Sequence, residues 1–419
     1  MLLKPAEMLL PRAEAVPAWP CVACDQYTSQ PEYWTRLEEE TGEAPSTLHY
    51  VLPECFLAQS ETRIPEIWRR MKADLANGVL QPLIPCGYVI TERHTQSGVG
   101  LGLTGVIDLE DYDYRPGNQA PLRASEATVE SRLPKRKAVR MGAPMETSHV
   151  LILLNDPARQ VLEPLLEKRE ELPLLYDVNL SGNGGLLKGY AVTGEADIEA
   201  LNSRWAAYCA SLPEGMPQAV VGDGNHSLAS AKSFWEELKP TLSEEAQKNH
   251  PARYAMVEMK NIHQETLLFA PIHRVLFGDG LSTLNDEFAG WLKERGATLR
   301  VGPGSAQSPD EQHLQSVREG QVTDLWIEKA PHPLAVGTLQ LFLDDYLVRH
   351  PDTRIDYIHG DETLLSLSRG EAMGYLLPVP QKSPLFETVA REGVLPRKTF
   401  SMGEANEKRY YMECRKIVP

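Results

Sequence analysis

A glycine-rich turn in the middle of the chain carries the residues best suited to chemistry. An apolar run over 219–221 leads into Gly-Asp-Gly-Asn-His-Ser at 222–227, and helical spacing resumes at Leu228. Glycines let the backbone turn sharply and approach a ligand closely. The start of a helix presents N–H groups and the positive end of the peptide dipoles, which suits an anion and above all a phosphate. The pattern therefore predicts a phosphate-binding turn.

Each residue type in this turn predicts a role. Asp223 would bind a metal or orient a hydroxyl group, and His226 would exchange a proton. The residues predicted to cradle the phosphate are Gly222, Gly224, Asn225 and Ser227. A structural alternative stays open, in which Asn225 or Ser227 only caps the helix and His226 is an ordinary surface or core residue.

Further candidate residues lie outside the turn. Asp25 would orient a hydroxyl group or a metal, or else cap a local turn. The residues predicted to contact substrate or phosphate are Arg123, Glu126, Lys188, His359, Arg397 and Lys398. A basic run could supply further positive charge, although such runs more often form a solvated face: Arg132, Lys135, Arg136, Lys137 and Arg140. Asp361 is predicted to join Asp223 as a ligand of Mg²⁺.

The elements that must position these residues alternate between extended and helical patterns, which predicts a mixed α/β protein built of several layers. The pattern gives a first helix near 31–42, a strand at 219–221, a helix at 228–238 and a final strand at 410–418. Boundaries near 145 and 280 would divide the chain into three parts. These are an N-terminal α/β domain at 1–145, a central α/β domain with the turn at 146–280, and a C-terminal α/β region at 281–419.

Composition excludes several classes of protein. The 419 residues include 42 Lys and Arg against 58 Asp and Glu, a formal net charge of −16, which disfavours binding to nucleic acid or to an anionic membrane. No apolar run approaches the roughly 18 residues of a membrane span. The charged and proline-interrupted N-terminus is untypical of a signal peptide, so we expect a cytoplasmic protein. A small-molecule substrate is the expected partner, and a homo-oligomer is compatible with the sequence.

Cysteine usage leaves one question open. Six cysteines in a chain of this length are too few for a disulfide framework. Cys21 and Cys24 form a Cys-x-x-Cys motif, which is typical of metal or redox sites. No second motif supplies the remaining ligands of a zinc site, so buried or incidental thiols are the alternative.

The turn and several other runs resemble the DUF1015 family, whose proteins are uncharacterised. Residues 222–227 are similar to the Asp-Gly-His-His-Arg-type signature of that family. The other runs that carry the resemblance span nearly the whole chain: 22–34, 106–114, 123–126, 188–190, 271–274, 355–360 and 395–404.

The resemblance implies a function. The signature is also similar to that of the ParB/sulfiredoxin-like fold, which includes free-serine kinases. In those kinases a strand–turn–helix site holds nucleotide phosphates, and an upstream acid activates the serine hydroxyl. The resemblance thus implies serine and O-phosphoserine interconversion in serine metabolism, with ATP or ADP as phosphate donor or acceptor and with Mg²⁺.

This chain departs from the signature at two positions. Asn225 replaces the first histidine, and Ser227 replaces the arginine. The second change removes a guanidinium that could clamp phosphate with two hydrogen bonds. Either another cation substitutes, or phosphate binding is weaker than in the kinases.

The sequence is therefore compatible with three functions. The leading one is an enzyme, a phosphotransferase or phosphatase acting on a small amino-acid alcohol, because phosphoryl transfer asks mainly for positioning and charge neutralisation. The alternative is a nucleotide-responsive, ParB-like regulatory or binding protein without catalysis. A metal-dependent hydrolase of another ester is the third.

Overall fold

The computed structural model describes residues 1–28, 30–128, 130, 133–396 and 398–419. Two predicted residues, Arg132 and Arg397, lie outside this described part. The fold is mixed α/β, as the sequence predicts. The chain forms two compact units, one of residues Met1–Leu267 with Glu404–Pro419 and one of residues Leu268–Gly403.

The helices and strands alternate along the described chain. The α-helices are α1 Pro31–Thr41, α2 Ser60–Ala76, α3 Leu133–Met141, α4 Glu163–Leu166, α5 Glu195–Ser211, α6 Asn225–Leu238, α7 Glu244–Asn249, α8 Leu284–Glu294, α9 Ala335–Arg349, α10 Asp361–Leu367 and α11 Ser383–Glu392. The first half of the strands comprises β1 Leu3–Lys4, β2 Ala6–Pro11, β3 Cys21–Val22, β4 Leu80–Thr95, β5 Gly98–Asp108, β6 Tyr112–Asp113, β7 Leu122–Arg123, β8 Met145–Thr147, β9 Leu151–Leu154, β10 Leu174–Leu180 and β11 Gly185–Val192. The second half comprises β12 Ala219–Asp223, β13 Tyr254–Asn261, β14 Phe269–Phe277, β15 Thr298–Val301, β16 Gln312–Arg318, β17 Gln321–Glu328, β18 Arg354–His359, β19 Ala372–Leu376, β20 Phe400–Met402, β21 Tyr410–Tyr411 and β22 Cys414–Lys416.

The first unit is built on one large mixed sheet. Its strands follow the order β6-β7-β12-β9-β13-β5-β4-β2-β22-β8, with β1 paired to β5 and with β10 and β11 joined to β4. Most neighbouring strands are antiparallel, whereas β6 and β12 run parallel to β7, and β13 runs parallel to β9. Because β12 lies inside this sheet, the turn that follows it is anchored by strands on both sides.

Helix α6 packs on this sheet through one apolar face. Leu228, Ala231 and Trp235 recur at helical spacing and are buried, in one core cluster with Val221 of β12 and Ile152 of β9. Apolar residues three and four apart form such a face. Burial on both sides of the turn therefore fixes where β12 ends and where α6 begins.

The end of the chain returns to the first unit. β22 lies between β2 and β8 in the large sheet, and β21 pairs with β3 in a separate two-stranded ladder. The predicted strand at 410–418 is thus two short strands, each with its own partner. This return brings residues 404–411 beside the N-terminal segment that contains Asp25.

The second unit has its own sheet, in the order β15-β17-β16-β19-β14-β18 with β20 paired to β14. The bounds of the two units differ from the three-part division that is expected from the sequence. Position 145 is the first residue of β8, which lies in the large sheet together with strands from both sides of that position. Within the described residues, no helix is both long and apolar enough to span a membrane.

Candidate functional site

The turn between β12 and α6 has the conformation that the sequence predicts. Gly224 separates the two elements in the left-handed region, at φ +75° and ψ +27°. A Cβ atom at this position would lie 3.1 Å from the Cα of Val150 and 3.3 Å from Nε2 of His149. Glycine is therefore required both by the backbone conformation and by the close approach of His149.

The other residues of the turn differ in what their side chains contact. A Cβ at Gly222 would lie 2.7 Å from the Leu153 side chain, so Gly222 allows close packing on β9. The buried Asn225 amide accepts a hydrogen bond from the Ser125 N–H and donates one to its hydroxyl, both at 3.1 Å. Asn225 therefore holds the segment that carries Glu126 instead of capping the helix. Ser227 lies half-buried in the first turn of α6.

Asp223 forms the central ion pair of the site. One carboxylate oxygen accepts the Gly224 N–H at 2.9 Å, and the other accepts Lys408 Nζ at 3.0 Å. Burial raises the pKa of Asp223, but the positive charge of Lys408 and its hydrogen bond to the carboxylate hold the pKa below its usual value. Burial lowers the pKa of Lys408, and Asp223 more than reverses that effect. Both groups are therefore charged at neutral pH.

Two further acids act on the same lysine. Asp25 and Glu126 each raise the pKa of Lys408 through their charges, after the larger effects of burial and of Asp223. The pairing of Tyr410–Tyr411 with Cys21–Val22 explains the approach of Asp25, because it places the segment after β3 beside the segment before β21. The structure thus brings together Asp25, Glu126 and Asp223, which are far apart in sequence.

His149 lies beneath the turn and connects these acids to the end of the chain. Its Nε2 is 3.7 Å from a carboxylate oxygen of Asp25, and its Nδ1 is 2.7 Å from the hydroxyl of Tyr411. The Tyr411 hydroxyl is also 3.0 Å from Sγ of Cys24. Burial raises the pKa of both Cys21 and Cys24 to about 12, so both thiols are neutral, which disfavours a reactive thiolate or a thiolate metal ligand.

The family model for proteins of unknown function, DUF1015, matches residues 3–349. This chain belongs to the DUF1015 family. The resemblance of the sequence motifs is therefore confirmed for most of the chain, although the match ends before the segment that contains Lys408.

Solved structures with a similar arrangement are distant from this DUF1015 protein. They include a mutant free serine kinase in complex with AMP, at 13% identity and a TM-score of 0.39, over 75% of this chain and 91% of the kinase. A conserved hypothetical protein from Pyrococcus furiosus has 12% identity and a TM-score of 0.34, over 75% and 95%. Truncated SbnI from Staphylococcus aureus has 11% identity and a TM-score of 0.34, over 72% and 82%. Similarity at this level supports no argument about the reaction, and no curated protein matches the chain.

The cations predicted to contact phosphate or to replace the missing arginine have other contacts. Arg123 donates to the carbonyls of Ala120 and Gly215 at 3.1 and 2.9 Å, so it ties loops together. Lys188 lies 3.9 Å from the carboxylates of both Glu92 and Asp177. In the basic run, three side chains pair with carboxylates: Arg136 with Glu54, Lys137 with Glu237 and Arg140 with Glu146.

Lys408 is the site residue that the sequence analysis missed. It stands in a Lys-Arg-Tyr-Tyr run at 408–411, which matches no phosphate-binding motif. The local signal that could have identified it is the mixture of basic and aromatic residues at the start of the predicted strand. Its relation to Asp223 becomes visible only once β21 is paired with β3.

The remaining predicted residues lie in the second unit. His359 ends β18, and Asp361 begins α10, where it contacts Nε2 of His273 at 2.9 Å. The carbonyl of Lys398 accepts a hydrogen bond from Arg274 at 3.1 Å, whereas Arg397 is outside the described residues. These residues are therefore not among those that the first unit brings together.

The predicted Mg²⁺ ligands do not form a ligand set. Asp223 pairs with Lys408, and Asp361 belongs to the other unit and pairs with His273. In the part of the chain that the structure describes, no group of three or more His, Cys, Asp or Glu residues is arranged to hold a metal. The described side chains thus do not fit a dedicated metal cage.

Proposed function

We propose that this DUF1015 protein is a phosphotransferase or phosphatase that acts on a small amino-acid alcohol, with serine and O-phosphoserine as the preferred pair. The observation that carries this proposal is the charged pair of Asp223 and Lys408 at the start of α6, with Asp25 and Glu126 close enough to act on the same lysine. Such a reaction would place the protein in serine metabolism.

The start of α6 and Lys408 would bind the phosphate. The N-cap residue of α6 is Gly224, which has no side chain that could cap the helix, and the start of a helix attracts an oxyanion through its N–H groups and its dipole. Lys408 supplies a positive charge that Ser227 cannot. A lysine binds phosphate as a point charge, without the two-pronged geometry of arginine.

The acidic surplus favours an amino-acid substrate. Asp25, Glu126 and Asp223 give three carboxylates around one lysine, a surplus of negative charge that a positively charged group of the substrate can offset. An amino-acid alcohol carries an ammonium group that such carboxylates attract. Charge complementarity therefore selects a zwitterion over a simple phosphate ester.

In the kinase direction, Asp25 would accept the proton of the substrate hydroxyl. The hydroxyl oxygen then forms a bond to the terminal phosphorus of ATP or ADP, and the bond from that phosphorus to the bridging oxygen breaks. The nucleotide leaves with one phosphate fewer. His226, in the first turn of α6, would give a proton to the departing nucleotide oxygen, and in the reverse reaction Asp25 would return its proton to the substrate oxygen.

The test is phosphorus NMR of the purified protein with serine or O-phosphoserine, with and without ATP or ADP and Mg²⁺. We expect phosphate to move between the amino acid and the nucleotide, or to be released from O-phosphoserine. Asp223→Asn should abolish turnover, whereas Lys239→Met should retain it. Lys239 is the matched control because it forms an ion pair with Glu110 at the far end of the same helix.

Two results would overturn the proposal. One is the absence of turnover in every combination of substrate, nucleotide and Mg²⁺. The other is equal turnover by wild type and Asp223→Asn. Nucleotide binding without turnover would favour the regulatory protein, and rapid cleavage of generic phosphate esters without nucleotide would favour a hydrolase.

A further inference from the structure

A chain of hydrogen bonds reaches His149 from the Cys-x-x-Cys segment. The Cys24 N–H donates to the Tyr411 hydroxyl oxygen at 3.3 Å, and that oxygen lies 3.0 Å from Cys24 Sγ and 2.7 Å from His149 Nδ1. Tyr411 and His149 are 2% and 6% exposed. Three residues from distant parts of the chain thus meet at one buried hydroxyl group.

The direction of these hydrogen bonds follows from the chemistry of the groups. Burial raises the pKa of Cys24 to about 12 and that of Tyr411 well above its usual value, so both carry their protons. A thiol sulfur is a weak acceptor, whereas the unprotonated imidazole nitrogen is a strong one. The single Tyr411 hydroxyl proton has two acceptors within reach, Cys24 Sγ and His149 Nδ1. The nitrogen is the nearer and the stronger acceptor, so we assign the donation to Nδ1, while the Cys24 N–H donates to the Tyr411 oxygen.

This arrangement places the ring proton of His149 on Nε2. That nitrogen lies 3.7 Å from a carboxylate oxygen of Asp25 and would lie 3.3 Å from a Cβ atom at Gly224. Three charged groups lie near His149. They are Asp25, Asp223 and Lys408, which is the ion-pair partner of Asp223. An Nε2–H group in this position attracts the Asp25 carboxylate and limits its rotation.

We propose that His149 is a positioning residue for Asp25, held in the Nε2–H form by Tyr411 and Cys24. This role in turnover rests on the proposed function, because Asp25 is the group that accepts the substrate proton there. The protonation pattern of the His149 ring does not rest on it. The two parts can therefore be tested separately.

The first measurement is nitrogen NMR of the histidine rings, with the His149 signals assigned by their loss in His149→Gln. We expect an unprotonated Nδ1 and a protonated Nε2 in the wild-type protein. Tyr411→Phe should abolish this preference. Tyr410→Phe should retain it, because the Tyr410 hydroxyl donates to the Ser181 carbonyl instead.

The second measurement is turnover of the same variants. Tyr411→Phe should lower kcat by about 10- to 100-fold with little change in KM, since a misplaced base slows the chemical step more than binding. Tyr410→Phe should keep the wild-type kcat. The loss in Tyr411→Phe should persist at temperatures where the variant is fully folded.

The outcomes separate the two proposals. A protonated Nδ1 in the wild type, or a ring pattern that Tyr411→Phe leaves unchanged, would overturn the role of His149. The role of His149 would also be overturned if the wild type showed the expected ring pattern and Tyr411→Phe kept the wild-type kcat. A wild-type protein with the expected ring pattern and no turnover would refute the proposed function, and with it the positioning role, while confirming the hydrogen-bond chain.

Discussion

Lys408 is held in its charged form by the carboxylate beside it. Its side chain is 14% exposed and that of Asp223 is 25% exposed, so solvent screens the pair less than it would screen a surface pair. Removing either partner leaves the other with few water contacts. The lysine and the aspartate should therefore behave as a unit in function and in stability.

Replacing Lys408 tests its role as the cation of the site. Lys408→Met should lower turnover by about 100-fold or more, because electrostatic stabilisation of this kind is worth several kcal/mol. Lys408→Arg should retain part of the activity, since it keeps the charge. Steady-state kinetics of both variants measures these effects. Wild-type kcat and KM in Lys408→Met would show that this lysine takes no part in the mechanism.

The lowered pKa of Asp223 predicts a pH dependence of stability. A carboxyl group whose folded-state pKa lies below its unfolded value, about 3.9, stabilises the fold above that value, and this stability is lost as pH falls through the folded-state pKa. Asp223→Asn should cost about 1–3 kcal/mol at pH 7. The difference between wild type and variant should shrink below about pH 4 in urea denaturation. A difference that stays constant between pH 7 and pH 3 would contradict this prediction.

At the scale of elements, the β12–α6 turn depends on Gly224. Gly224→Ala adds the cost of a left-handed alanine, roughly 1–2 kcal/mol, and a contact with His149 and Val150. Gly117→Ala is the matched control, because Gly117 has φ +78° and open space around its Cβ position. We expect similar backbone strain in both variants, and loss of turnover only in Gly224→Ala.

Thermal unfolding and kinetics of the two glycine variants provide the measurement. Equal activity in both would mean that the space beside His149 is not needed. Equal destabilisation combined with selective loss of activity would assign the effect to the site and not to the backbone.

The elements around the turn could be predicted because their signals are local. The strand predicted at 219–221 is β12, Ala219–Asp223, and the helix predicted at 228–238 is α6, Asn225–Leu238. An apolar run, two glycines and a repeat of apolar residues lie within twenty positions. Each of these signals reflects burial or backbone freedom, which depend little on distant residues.

The convergence of the charged residues could not be predicted in the same way. Lys408 reaches Asp25 through a ladder of two residues on each strand, Tyr410–Tyr411 with Cys21–Val22. A strand of two residues has no periodicity to read. Arg123 shows the opposite case, because its charge suggested a phosphate ligand and its side chain is bound by backbone carbonyls instead.

At the scale of the whole chain, the first unit is closed by residues that follow the second unit in sequence. Residues Glu404–Pro419 belong to the first unit, although Leu268–Gly403 form the second. This segment supplies Lys408 to the site and β22 to the large sheet. The site and the fold of the first unit therefore depend on the same short segment.

Arg409 shows how strongly the segment is held. Its guanidinium lies 2.5 Å from a carboxylate oxygen of Glu258 and 2.8 Å from one of Glu413, and it donates to the Ser148 carbonyl at 3.0 Å. Burial raises the pKa of Glu258, but Lys260 and Arg409 lower it to about 2. The arginine thus stabilises two carboxylates that have almost no contact with solvent.

Arg409→Met should therefore destabilise the protein by about 3–5 kcal/mol, the cost of leaving buried charges without a partner. Arg349→Met, which breaks an exposed pair with Glu287, should cost less than about 1 kcal/mol. Adding Glu258→Gln to Arg409→Met should restore part of the loss, because one uncompensated charge is then removed. Urea denaturation of the four proteins gives these differences. A cost below about 1 kcal/mol for Arg409→Met would show that the C-terminal segment is not fixed by its buried ion pairs.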